Sequence, residues 1–316
     1  MVTTPRITPD LSTNVGALRL AFPTLMASGC YGSGEEYAPF VDLARIGGVV
    51  LKSVTRFPRL GNDAPRLVPV ASGLLNAIGL QNPGIDAYLE RDVAKFAERP
   101  CAVVGSVAGF SVDDYGYVTE RLAARDEIDA IELNISCPNV AHEGETFACD
   151  AALAERATRA ARQATTKPLI VKLSPNVTDI TEIARAVEAA GGDALAVVNT
   201  VRGMAIDVER RAPMLGNVTG GLSGAAMRPI ALLAVWEVAA AVRLPIVGQG
   251  GIETARDALE FLLAGASAVS IGTANFTDPR APVAICDGLS TYLNEHGYAA
   301  LRDLVGAANP TFLGTR

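Results

Sequence analysis

Short apolar, β-branched runs recur along the chain, most of them followed by a stretch in which apolar residues return every three or four positions. The runs are Leu20–Ala27, Val49–Val54, Ala102–Val107, Ala130–Ile135, Leu169–Leu173, Leu195–Val198, Ile246–Gly248 and Ala268–Ile271. Between them lie Ala-rich amphipathic segments such as Asp150–Thr165, Ile180–Ala190, Ala225–Val242 and Thr254–Ala264. Strands that are apolar throughout, each joined to the next by a helix, predict a parallel sheet covered on both faces. Eight such units predict an α/β fold closed into a (β/α)8 TIM barrel, whose usual length is about 250 residues with insertions allowed. A doubly wound open sheet is the alternative and predicts fewer strands. No linker or composition shift divides the chain, so residues 1–316 read as a single domain.

Two connections are much longer than the rest: Thr55–Pro83 after the second strand and Val201–Gly224 after the sixth. Both follow the carboxyl end of a strand, the face on which barrels of this kind build their sites. Long Gly- and Pro-bearing segments there are expected to act as extended lids or binding loops.

Composition narrows the function. Hydrophobic residues make up 49% of the 316 and aromatics only 5%, so the core is aliphatic and the chain is not disordered. A net charge of −7 without a basic tract argues against nucleic acid or an anionic membrane as partner. The first twenty residues lack the apolar stretch of a secretory signal, and the most apolar later stretch, Pro229–Val247, is short and carries Glu237 and Arg243. The expectation is a soluble cytoplasmic protein. Five scattered cysteines (Cys30, Cys101, Cys137, Cys149 and Cys286) form no CxxC pair, which argues against a disulfide scaffold and a chain-borne metal or iron–sulfur site.

What ends each apolar run is more informative. In order, the ends read Ser28-Gly29, Lys52-Ser53, Ser106, Asn134, Lys172, Asn199-Thr200, Gly250-Gly251 and Gly272-Thr273. In a parallel barrel these converge on one rim. Only four of the 27 basic residues are lysine (Lys52, Lys95, Lys167 and Lys172), so lysine is not a default surface charge here. Lys52 and Lys172 nevertheless sit in VVLKSV and LIVKLS, where a buried ammonium is costly unless paired. Either they snorkel to the rim or they meet a ligand that bears negative charge.

The glycines of IVGQGG and SIGT close the seventh and eighth strands, and GGLSG precedes the segment from Ala225. Glycine lets backbone N–H groups approach a ligand closely. Helix N-termini after strands 7 and 8 are the recurrent phosphate site of such barrels. The fourth strand ends in ELNISCPNV, which places Cys137 among the amides of Asn134 and Asn139. A lone cysteine is commonly an inert small hydrophobe, but this one stands at the expected active rim. Histidine is scarce: His142 follows in the same loop, and His296 lies in a helix-like segment near the C-terminus. In LNAIGLQNPG, the side chains of Asn76 and Asn82 and the backbone of Ile78, Gly79 and Leu80 could grip a small planar polar molecule, or simply form a solvated turn.

Taken together, LKSVT, PRL, GLLNAIGLQNPG, ELNISCPNV, VKLSPNVTDI, VVNT, GNVTGGLSG, LPIVGQGGI and AGASAVSIGTANF, collinear from about Ser28 to Phe276, resemble the class 1 dihydroorotate dehydrogenases, most closely class 1B. The resemblance implies a flavin mononucleotide (FMN) barrel that oxidises dihydroorotate to orotate in pyrimidine synthesis. It makes Cys137 the base that takes the C5 proton while hydride leaves C6 for flavin N5. It assigns the pyrimidine and its carboxylate to Lys52, Asn76, Ala77, Ile78, Gly79, Leu80, Asn134, Asn199 and Thr200, with Asn139 a further contact. It assigns FMN to Ser28, Lys52, Ser53, Asn134, Lys172, Val198, Gly224, Gly250, Gly251, Gly272 and Thr273, and to Ser106 where the family commonly has asparagine. No metal is expected. It also implies a dimer of barrels, each working with a second subunit that carries FAD and a [2Fe-2S] cluster and passes electrons to NAD; class 1A relatives pass them to fumarate instead.

The chain departs from the family at Ser106, a shorter group, and after SCPN, where the family usually carries a glycine pair and a glycine before the aspartate that opens the next helix and this chain has AHEGETFACD, with Ala148-Cys149 there instead. Cys149 is expected to be incidental. Three rival readings remain open: an FMN barrel for another dihydropyrimidine, a flavin-free phosphosugar-binding barrel, and a barrel that has lost catalysis. A site for an uncharged pyrimidine has no carboxylate for Lys52 to pair with.

Overall fold

The computed structural model describes residues 8–32, 37, 39–136 and 147–314. Its centre is a closed parallel barrel of β1 (Thr24–Met26), β2 (Gly48–Val50), β3 (Ala102–Val107), β4 (Ala130–Asn134), β5 (Leu169–Lys172), β6 (Ala194–Val197), β7 (Ile246–Gln249) and β8 (Ala268–Ile271). Each strand pairs with the next in sequence, and β8 pairs with β1. The closed (β/α)8 architecture is therefore the one the periodicity predicts, and the open doubly wound sheet is excluded.

Alternation along each strand sorts the side chains. Outward residues such as Val103, Ile131, Leu133, Val171 and Val269 pack under the helices. Inward residues at the amino-terminal end (Leu25, Val50, Val104, Ala130, Ile170, Ala194, Val247 and Ala268) fill the barrel's lower half. An antiparallel hairpin, Thr13–Val15 with Leu18–Leu20, closes this end, and Val15, Leu18 and Leu20 belong to the same cluster. The apolar run read as one strand over Leu20–Ala27 is thus two elements: Leu20 ends the plug and β1 begins at Thr24.

The helical shell begins with α1 (Ile85–Arg91) and α2 (Val112–Ala123), continues with α3 (Ala151–Ala164), α4 (Ile180–Ala189), α5 (Arg228–Ala239) and α6 (Ala255–Ala264), and ends with the short α7 (Ala274–Thr277) and α8 (Ala281–His296). Starts are set by side-chain caps: Asp150 accepts from Leu153 N, Asp179 from Thr181 N, and Thr254 forms a capping box with Asp257. A 3-10 turn over Ala225–Met227 precedes α5, which is shorter at both ends than the apolar pattern predicts. No helix among the described residues is long and apolar enough to cross a membrane.

The two long connections do not lie separately over the rim. Leu67–Val70 and Gly73–Asn76 from the first, with Val201–Gly203 and Gly220–Ser223 from the second, form one four-stranded antiparallel sheet. Gly221 pairs with Asn76 and Leu222 with Leu75, so the two insertions are tied backbone to backbone. Val68, Leu75, Ala77 and Leu215 make a small separate core beneath it.

Candidate active site

Between this cover sheet and the carboxyl ends of the strands lies a cleft with a cavity volume of about 220 Å³. Its wall brings together Ser28, Lys52, Ser53, Asn76, Ile78, Gly79, Leu80, Asn134, Lys172, Val198, Asn199, Thr200, Gly224, Gly250, Gly251, Gly272 and Thr273. Cys137, Asn139 and His142 lie outside the described residues. His296 is exposed at the far end of α8, stacked on Tyr292, and takes no part in the cleft.

Two predicted contacts do not reach the cleft surface. Ala77 packs in the small core under the cover sheet; its N–H is donated to Arg66 O at 2.8 Å and its carbonyl accepts from Asn62 Nδ2 at 3.1 Å, so neither backbone group is left for a ligand. Ser106 is fully buried behind Ser53, with its hydroxyl 2.8 Å from Ser53 Oγ and 3.5 Å from Glu132 Oε1. Asn82 is also engaged within the loop. Its Oδ1 accepts from Thr55 N and Gly84 N, and its Nδ2 donates to Leu80 O and Thr55 Oγ1. Asn82 therefore braces the Ile78–Leu80 turn and does not grip a ligand.

The cleft floor is a continuous hydrogen-bonded array. Ser28 donates to Leu51 O at 2.8 Å and lies 3.3 Å from Ser53 Oγ. Asn134 Nδ2 donates to Ser53 Oγ at 3.0 Å, Ser136 to Asn134 Oδ1 at 3.0 Å, and Asn199 Nδ2 to Ser136 Oγ at 2.8 Å. Each amide is thereby oriented before a ligand arrives. Tyr88 donates to the Lys52 carbonyl at 2.8 Å, fixing the backbone of that lysine, and burial pushes its own phenol well above the usual range. Gly29, with φ of +80°, lies beside the Lys52 side chain.

Of the GGLSG segment, Gly220–Ser223 is a strand of the cover sheet, so Ser223 and Gly224 alone reach the cleft. Ser223 accepts from Thr273 Oγ1 at 2.8 Å, linking that turn to the end of β8. Gly224 and Gly251 have φ of +93° and +72°, and a Cβ on Gly251 would come within 2.8 Å of both Arg228 Cβ and Gly224 O. This corner has room for backbone and ligand but not for side chains.

Several wall residues escaped the sequence reading. Gln249 and Ser270 are register partners on β7 and β8, each 4% exposed, and Gln249 Nε2 and Ser270 Oγ have no partner among the described residues. Cys30 also lines the cleft; burial raises its thiol while the charges of Lys172 and Lys52 pull the other way. Behind the wall, burial pushes the Glu132 carboxyl up against the pull of Lys172 and the Ser106 hydroxyl. Buried polar atoms without partners, aimed into a cavity, mark a place where a ligand completes the hydrogen bonding. Such a floor, beside a glycine corner at the ends of β7 and β8, fits a phosphate-bearing cofactor with a polar heterocycle.

Fold and site together define a TIM-barrel enzyme whose rim binds a small molecule beneath a two-part cover. Residues 10–293 match the dihydroorotate dehydrogenase family, and the chain belongs to that family. It is 49% identical over 298 residues to the "Dihydroorotate dehydrogenase B (NAD(+)), catalytic subunit" of Bacteroides thetaiotaomicron, covering 94% of this chain and 98% of that protein. Proteins of the same description from Desulforamulus reducens (51% over 300 residues, 95% and 99% covered) and Trichlorobacter lovleyi (50% over 299 residues, 95% and 98% covered) are similar to it along nearly their whole length.

Proposed function

We propose that this single-domain chain is the catalytic subunit of an NAD-linked dihydroorotate dehydrogenase, oxidising dihydroorotate to orotate in pyrimidine synthesis with FMN bound in the rim cleft. One observation carries the reading. Two rare lysines, three oriented asparagine amides and a side-chain-free glycine corner, drawn from nearly every strand end, face a single cleft.

Gly224, Gly250, Gly251, Gly272 and Thr273 hold the phosphate end of the cofactor, while Ser28, Ser53, Asn134, Lys172 and Val198 face its ring. Ser106 acts on that ring through Ser53. When bound, the flavin supplies a two-electron acceptor for the hydride leaving the substrate. The Lys172 ammonium stands ready for the negative charge this creates, and because it is already in place no solvent need reorganise. Lys52 meets the substrate carboxylate with a charge-assisted hydrogen bond. Asn76, Asn134, Asn199, Thr200 and the Ile78–Leu80 turn fix the pyrimidine in plane. Cys137, with Asn139 two residues on in sequence, is assigned the C5 proton on the strength of the family resemblance; a thiol suits this when its neighbours bring its pKa toward the working pH. We further propose a cytoplasmic homodimer of barrels, each docked to a subunit that carries FAD and a [2Fe-2S] cluster and delivers electrons to NAD.

Anaerobic addition of dihydroorotate to the purified yellow protein is expected to bleach the flavin absorbance, and NAD reduction is expected only when the second subunit is added. A colourless protein, or a flavin that dihydroorotate leaves oxidised, overturns the reading. Lys52→Ala is expected to slow reduction far more with dihydroorotate than with dihydrouracil; equal losses point to a different dihydropyrimidine.

A further inference from the structure

Glu132 and Asp257 are the buried carboxylates among the described residues. Asp257 has a structural task, capping α6 and pairing with Arg228. Glu132 has none of this kind. It lies on β4 two positions before Asn134, so both point into the barrel, and it is 3% exposed without lining the cleft. Asn134 is the register partner of Lys172 on β5, which sets the Glu132 carboxyl one layer below the Lys172 ammonium. The two charges attract, yet no ion pair with Lys172 closes among the described residues. A buried ammonium without a direct counter-ion is costly, and Glu132 is the group placed to offset it from beneath.

The hydroxyls give the second half of the argument. Ser28 spends its proton on Leu51 O, and Ser53 accepts from Asn134. When Glu132 is ionised, Ser106 donates to it and Ser53 donates to Ser106, so each hydroxyl proton in the chain has an acceptor. The chain Asn134–Ser53–Ser106–Glu132 therefore ties the carboxylate to the cleft floor.

We propose that Glu132 is a positioning residue that acts through Lys172: its carboxylate moderates the ammonium's pull on charge arriving in the cleft and so sets the reduction potential of the bound flavin. This rests on the FMN reading above. A hydride brings one proton and two electrons, leaving one added negative charge beside Lys172. Above its raised folded-state pKa Glu132 is ionised, and the ammonium is then shared between two negative groups, which eases the later departure of the electrons. Neutralising Glu132 gives Lys172 wholly to the reduced ring, so that reduction becomes more favourable and reoxidation slower.

The test is the flavin midpoint potential of the holoprotein, measured by equilibration with reference dyes. Wild-type protein is first reduced anaerobically with dihydroorotate; failure at that step overturns the functional reading and leaves the Glu132 variants to be titrated with dithionite. Glu132→Gln keeps the shape of the side chain and is expected to shift the two-electron equilibrium about tenfold toward the reduced form, or about 30 mV upward. Reoxidation is expected to slow correspondingly, with KM for dihydroorotate unchanged, because Glu132 does not reach the cleft. Ser106→Ala removes the hydroxyl that favours the carboxylate and is expected to shift the potential the same way by less. An unchanged or lowered potential in folded Glu132→Gln protein overturns the proposal. If that variant does not fold, Ser106→Ala decides alone, and no upward shift in it has the same consequence.

Discussion

The lower and upper halves of the barrel interior are built on the same strands yet have opposite chemistry. Along β4 the inward positions read Ala130, Glu132 and Asn134; along β5 they read Ile170 and Lys172; along β7, Val247 and Gln249; along β8, Ala268 and Ser270. A step of two residues, about 6.6 Å of strand rise, takes the interior from aliphatic packing to polar groups, two of which have atoms without partners among the described residues. The difference teaches a division of labour. Aliphatic layers and the hairpin plug hold the cylinder closed, and that rigidity lets the upper layer keep groups that a mobile scaffold would turn toward one another.

The division can be attacked from either side. Ile170→Ala, in the lower layer, is expected to lose about 2–5 kcal/mol of stability in denaturant titrations while leaving the flavin dissociation constant within about twofold. One step up the same strand, Lys172→Met is expected to do the reverse, slowing flavin reduction by dihydroorotate roughly 10²–10³-fold in stopped-flow traces with little change in melting temperature. If the two variants show the same mixture of effects, the halves are not separable. At the rim, Gly251→Ala is expected to weaken flavin binding about tenfold, since a left-handed non-glycine residue costs about 1–3 kcal/mol and its Cβ meets Arg228 and Gly224; fluorescence titration measures this.

The smallest effect concerns pH. Burial raises the folded-state pKa of Glu132 above its ordinary 4.5, so the native protein holds this proton more tightly than the unfolded chain. Its contribution to stability is full below the unfolded pKa and is lost as pH rises through the folded value. Thermal melts of Glu132→Gln against wild type are therefore expected to show a difference that moves in favour of the variant as pH rises from 4.5. A difference that stays flat with pH means that the carboxyl titrates alike in both states.

Much of this was legible in the residues. The eight strands were visible because each is a run dominated by apolar residues, and the site because rare residue types stand at their ends. The cover sheet was not: pairing between Gly221 and Asn76 joins segments 145 residues apart, and no local period signals it. Gln249, Ser270 and Glu132 were masked by their apolar neighbours, although each sits at an inward position of a strand. Ser106 and Ala77 lie one layer behind the cleft wall, because a motif says which residues gather and not which of them stand in front.

The joined cover has a consequence for anyone who would re-engineer this protein. Because the insertions after β2 and β6 share one hydrogen-bonded ladder, neither is a module. Transplanting one of them from a relative leaves a raw strand edge and a turn with nothing to lean on, so the pair must be exchanged together.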